Sequence, residues 1–264
     1  MNLITEIGGL KDELKEIKKQ LLINLIVEGV DDPGILKCVF MAGGPGSGKS
    51  YTAMEVFGVD KEYQTSFAVS GLKVVNSDTA FERGLKKHGI DARDLARISK
   101  EDPELWDLIQ KGDKSIRGHA QALTRKQQQF YEQGRLGMII DGTGRNYGKI
   151  VKQRNHAMEL GYDTYMVFVN TSLEVAVERN NARKRRLAEE DVIIMWKEVQ
   201  ENMGKFQSLF GSRCFTIIDN TVYGPPSNDV QKAINEFIRQ PIQNHIGKKW
   251  IENARALKNA NLIK

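Results

Sequence analysis

Near the start of the chain, Leu3, Ile7, Leu10, Leu14, Ile17 and Leu21 recur in alternating steps of four and three, which predicts a helix over residues 3–27. The seam resembles a coiled coil, although Gly8-Gly9 weakens its start and it lasts fewer than three heptads. A helix packed on the domain is the expected role, ahead of a dimer zipper. Asp31-Asp32-Pro33-Gly34 predicts a turn. Beyond it the pattern changes to short apolar runs: Ile35 to Ala42, Leu72 to Val75, Met138 to Ile140, Thr164 to Val169 and Cys214 to Ile218. Most of them are continuous, as in strands covered on both faces. Helical stretches separate them: Tyr51 to Phe57, pieces around 79–88, 103–111 and 113–133, then about 148–160, and an Arg-rich helix followed by a second helix over about 172–208. This alternation predicts an α/β fold, a three-layer parallel five-stranded sheet. The expected organisation is an N-terminal helix and turn over 1–34, a central domain over 35–220 with a helical insert at about 79–135, and a helical tail over 221–264. Within the tail a helix over about 228–239 ends before Pro241, and the segment from Gln243 reads as an amphipathic or partly ordered appendage.

Ligands of such sheets meet the carboxyl ends of the strands. The polar residues that interrupt the apolar runs, at Gly43–Ser50, Asp78, Asp141–Arg145 and Asn170, all fall on that edge. The first run leads directly into Gly43-Gly44-Pro45-Gly46-Ser47-Gly48-Lys49-Ser50, a full match to G-x-x-x-x-G-K-[ST] between a strand and a helix. Such a P-loop binds a nucleoside triphosphate. Its glycines let successive N–H groups face the β-phosphate. Lys49 reaches the β- and γ-phosphates, and the Ser50 hydroxyl ligates Mg²⁺. Gly43 through Ser50, with Tyr51 at the head of the next helix, form the expected ATP site, so ATP and magnesium are the expected cofactors.

Asp141 ends an apolar strand, as an acid that orients magnesium does; strand-ending aspartates also serve as turn formers. Thr143 and Arg145 follow on a loop that two glycines allow to approach a ligand, and arginine grips phosphate bidentately. Asp78, after the second run, is the candidate general base for a hydroxyl, a role compatible with capping a helix that begins at Thr79. Arg179, Arg183, Lys184, Arg185 and Arg186 form the densest positive cluster. Continued as one helix, 179, 183 and 186 share a face, and the stretch about 179–190 reads as a lid over the triphosphate, the alternative being a solvated charged helix. In the insert, Arg117, Arg125 and Lys126 read as surface charge, the alternative being contact with an acidic substrate.

Composition narrows the picture. Of 264 residues, 40% are hydrophobic and 28% charged, a soluble globular balance. Lys plus Arg exceed Asp plus Glu, 39 against 34, which suits an anionic substrate and allows nucleic acid without requiring it. No apolar run approaches the roughly 18–20 residues of a membrane helix, and the N-terminus lacks a secretory pattern. Cys38 and Cys214 read as buried free thiols, so a cytoplasmic setting is expected. Four scattered histidines share no zinc-ligand spacing.

Over residues 35–220 the chain resembles the zeta-toxin-type P-loop kinases, whose sheet is like that of nucleoside monophosphate kinases. The resemblance rests on the P-loop, Asn76-Ser77-Asp78, Asp141-Gly142-Thr143-Gly144-Arg145, and the stretch ending Arg185-Arg186-Leu187-Ala188-Glu189-Glu190. The family often has Glu where Asp141 stands and Pro where Ala188 stands. The resemblance implies an ATP-dependent kinase with Asp78, Lys49 and Arg185 as catalytic groups. It implies Asp78, Thr143 and Arg145 at the substrate, Ser50 and Asp141 at the metal, and Arg179 and Arg183 on ATP phosphates. The implied acceptor is a hydroxyl of an anionic small molecule such as a sugar nucleotide. A nucleotide or polynucleotide 5′-kinase is the alternative among kinases. Outside them stands an ATP-binding assembly or regulatory protein with little turnover, meeting a protein partner through the N-terminal helix and basic tail.

Overall fold

The computed structural model describes residues 30–32, 34–59, 68, 70–183 and 186–260. The helix expected over residues 3–27 lies outside them, as do Lys184 and Arg185. In chain order the elements are β1 (Lys37–Ala42), α1 (Lys49–Phe57), β2 (Lys73–Val75), α2 (Asp78–Lys87), α3 (Leu95–Glu101), α4 (Pro103–Gln110), α5 (Ile116–Gln133), β3 (Met138–Asp141), α6 (Tyr147–Glu159), β4 (Asp163–Asn170), α7 (Leu173–Asn181), α8 (Glu189–Phe210), β5 (Phe215–Asp219), α9 (Asn228–Arg239) and α10 (His245–Asn259). The five strands form one parallel sheet in the order β2-β3-β1-β4-β5. β1 is central, and its neighbours carry the two loops that flank its carboxyl end.

The side chains of β1 alternate between two cores. Cys38, Phe40 and Ala42 enter one with Met166, Phe168, Phe206 and Phe210, while Val39 and Met41 enter the other with Phe57, Tyr165, Val167, Ile234 and Phe237. Both faces of the strand are therefore dry, which is why its sequence is a continuous apolar run rather than an alternating one. The insert α2–α5 has its own smaller core of Phe81, Leu85, Leu95, Ile98, Ile109 and Ala120. Its helix starts are set locally: Asp102 accepts the Leu105 N–H ahead of Pro103, and Ser115 accepts the Gly118 N–H. The short polar helix α3 is an element the sequence pattern does not predict.

The tail is ordered and docked. α9 turns Ile234, Phe237 and Ile238 onto the sheet, and α10 lays Trp250 and Ile251 against the other core. A Cβ on Gly247 would stand 2.2 Å from the Gly161 carbonyl oxygen, so only glycine permits that approach. Asp163 fixes the junction, accepting the backbone N–H groups of Gln243 and Asn244 and, at 3.0 Å, the ammonium of Lys37. Lys37 is 0% exposed, and burial pulls its ammonium below the usual lysine range. Cys38 is buried and Cys214 only partly so, both as free thiols.

Candidate active site

β1 runs straight into the P-loop, whose shape depends on two left-handed glycines, Gly46 at φ 74° and Gly48 at φ 85°. The loop is also crowded from outside: a Cβ would lie 2.3 Å from the Ala176 carbonyl oxygen at Gly46 and 2.0 Å from Asn220 Nδ2 at Gly48. Gly48 caps α1 with no side chain, so the first N–H groups of the helix remain open to an anion. Lys49 folds back over the loop, donating to the Gly43 carbonyl at 2.9 Å. Ser50 and Tyr51 continue in the first turn of α1.

The loop after β3 is bonded to the P-loop. Pairing of β1 with β3 sets Met41 opposite Asp141, the Gly142 N–H donates to Met41 O, and the Gly43 N–H donates to Thr143 O, each at 3.1 Å. Asn202 of α8 ties down the far end, donating to the carbonyls of Gly144 and Arg145 at 3.0 and 2.8 Å. The Arg145 Nε donates to Glu198, also on α8. Asp141, Thr143 and Arg145 thus come together at the sheet edge beside the P-loop.

Asp78 opens α2 directly after β2. The helix takes it as its first residue, with Ser77 in the cap position, so the expected capping role is corrected. As a first-turn acid it sits where the helix dipole favours negative charge. Its carboxylate is 62% exposed and is held by Arg117 of α5 at 3.0 Å. Arg117 is only 17% exposed, and its guanidinium lies 3.5 Å from the centroid of the Phe81 ring. The expectation that Arg117 is surface charge is therefore overturned, because an aromatic face and a carboxylate anchor it from two sides.

Asn76 has a role the sequence reading did not give it. Its Oδ1 accepts the Asp78 N–H at 2.7 Å and its Nδ2 donates to Asp141 Oδ2 at 2.9 Å. One amide thus connects the segment of the candidate base to the candidate metal acid. Arg125 is exposed, as expected of surface charge, and it also has a place at the site. It lines a cavity of about 810 Å³ whose walls include Ser77, Gln121, Thr124 and Gln128 from the insert side, Asp141 through Arg145, and Lys149 of α6. Gln121, Thr124 and Gln128 of that lining recur in steps of three and four along α5, a polar stripe at helical spacing that was the available signal for this wall.

The Arg-rich stretch is not one helix. α7 ends at Asn181, where the Asn180 side chain clamps the Leu187 backbone, donating to its carbonyl at 2.9 Å and accepting its N–H at 3.0 Å. Arg183 and Arg186 therefore fall in a connecting loop and do not extend the helical face of Arg179. Arg179 itself reaches the P-loop, donating to Gly46 O at 3.4 Å.

Residues 38–203 match the model of a family described as an AAA domain. The chain belongs to that family. As an AAA domain it carries a kinase-like P-loop fold, with the parallel five-stranded sheet that the alternation of strands and helices predicts. A chain from the crystal structure of AvrRxo1-ORF1:AvrRxo1-ORF2 with sulphate ions aligns with 92% of this domain-bearing chain and 80% of its own, at 11% identity and a TM-score of 0.51. The two share a fold. A chain from the PezAT chromosomal toxin–antitoxin system of Streptococcus pneumoniae aligns over 95% and 98% at 13% identity and a TM-score of 0.49. No curated protein matches the sequence. No helix among the described residues is long and apolar enough to cross a membrane.

Proposed function

We propose that this AAA domain is an ATP- and magnesium-dependent kinase that transfers the γ-phosphate to a hydroxyl of an anionic small molecule. The observation that carries this reading is the double use of the loop at Gly142–Arg145. It is hydrogen-bonded to the P-loop on one side and forms a wall of the 810 Å³ cavity on the other. A hydrolase needs room only for water, whereas a cavity of this size beside the phosphate site suits a second substrate. Arg125 and Lys149 in its lining favour an acceptor bearing phosphate or another anion, such as a sugar nucleotide or a nucleotide.

In this reading Lys49 and the uncapped amides of α1 hold the β- and γ-phosphates. Ser50 and Asp141 supply a hydroxyl and a carboxylate, the hard oxygen donors that magnesium takes, and Asn76 fixes one oxygen of Asp141. When bound, magnesium supplies positive charge to the phosphate oxygens. Asp78 takes the proton of the acceptor hydroxyl as its oxygen bonds to the γ-phosphorus and the bond to the β-phosphate oxygen breaks, releasing ADP. Thr143 and Arg145 face the acceptor. Arg179, Arg183 and Arg185 belong to the lid, with Arg185 on the transferring group.

The Asp78→Asn variant tests the base. It is expected to bind ATP as the wild type does and to transfer phosphate about 10²–10⁴-fold more slowly. Transfer to the acceptor at the wild-type rate would remove Asp78 from that role.

A further inference from the structure

The loop between β5 and α9 is fastened to the outer side of the P-loop. Asn220 is buried and donates its side-chain amide to the Ser47 carbonyl at 2.8 Å and its backbone N–H to Asn170 O at 2.9 Å. Thr221 Oγ1 accepts the Ser172 N–H at 3.1 Å. Directly after these anchors the chain turns two large apolar side chains to solvent, Val222 at 83% and Tyr223 at 73% exposure. The Tyr223 ring rests on Tyr51, with centroids 4.7 Å apart and planes inclined by 32°. Tyr51 follows Ser50 in the first turn of α1. The two rings therefore stand next to the amides suited to phosphate, held from one side by a helix and from the other by Asn220.

A lone exposed aromatic residue calls for no explanation. This one is anchored three residues from a buried contact to the P-loop and is stacked on a residue of that motif's own helix. An exposed aromatic face anchored beside a phosphate site matches the rigid, flat and amphipathic end of a nucleotide. We infer that Tyr223, backed by Tyr51, is the platform on which the purine base of the bound triphosphate stacks. The inference rests on the reading that the P-loop holds that triphosphate. Stacking uses the π-face that every base has and reads no donor–acceptor edge, so ATP and GTP bind the platform with similar affinity.

Calorimetric titration of the full chain with magnesium and ATP, GTP or inorganic tripolyphosphate tests this. Tyr223→Ala is expected to weaken ATP and GTP about tenfold, in the range of aromatic stacking on a base, and to leave tripolyphosphate unchanged. Tyr223→Phe keeps the wild-type affinity for all three, and Lys49→Ala weakens all three. Unchanged ATP affinity in Tyr223→Ala overturns the platform. So does an equal loss for tripolyphosphate, which would mean that the tyrosine pair only staples the loop to α1. An ATP preference over GTP of more than about tenfold would require edge readout and overturns stacking as the sole mode of base recognition. A wild-type chain that binds neither ATP nor tripolyphosphate overturns the triphosphate reading itself, and the platform with it.

Discussion

Asn76 joins two acids that sit 63 positions apart in the chain, because Asp78 follows β2 and Asp141 ends the neighbouring strand β3. Its amide orients Asp141 through one hydrogen bond and the start of α2 through the other. Groups that orient a metal-binding carboxylate typically change affinity or activity about 10–100-fold when removed. The Asn76→Ala variant is therefore expected to lose about that much transfer rate while its affinity for magnesium-free ATP stays near wild type, as steady-state kinetics and titration would record. The P-loop was legible at this scale because its chemistry is local: eight consecutive residues and their flanking elements state it. The partners of Asp78 and Asp141 were not. Asn76 is polar and close to Asp78 in sequence, but its bond to Asp141 exists only once β2 lies beside β3. Arg117 looked like solvent-facing charge because its partners, Asp78 and Phe81, lie more than thirty positions away.

At the scale of elements, α8 links the parts of the site. Trp196 donates to Thr171 O and Gln200 to Asn170 at the end of β4, while Glu198 and Asn202 hold the Arg145 loop. α8 begins directly after the Arg-rich connection, so one helix carries both the contacts to the end of β4 and those to the Arg145 loop. The strands were readable from their dry apolar runs, and so was the long α5. Two helices over about 172–208 were readable as well, but the place of the break between α7 and α8, inside the Arg-rich stretch, was not, since Arg, Lys, Leu and Ala are good helix formers; the tertiary clamp of Asn180 on Leu187 ends the helix against local propensity. If the connection closes on a triphosphate, its basic residues become protected. ATP with magnesium is expected to slow tryptic cleavage within residues 183–186 several-fold in a timed digest. Cleavage at an unchanged rate under saturating ATP would mean that the connection is no lid.

For the whole molecule, the sheet order places β3 and β4, with the loops that follow them, beside the central strand, and the C-terminal helices seal the two faces of the sheet. Asp163 is the pivot of that seal. Removing its carboxylate leaves Lys37 charged and buried and frees two backbone N–H groups, so Asp163→Ala is expected to destabilise the fold by about 3–5 kcal/mol in urea denaturation. The helix over about 228–239 was readable, whereas the segment from Gln243 read as an amphipathic or partly ordered appendage because its docking depends on Gly161, Gly247 and Asp163, single residues with no periodic signature. The central claim, a kinase with a separate acceptor, is tested most directly by following γ-labelled phosphate from ATP across sugar nucleotides, nucleosides, nucleotides and oligonucleotides, with Lys49→Ala as the blank. The account predicts label on an organic acceptor with the wild-type chain and none with Lys49→Ala. Label appearing only as inorganic phosphate, at a rate no acceptor changes, would contradict it.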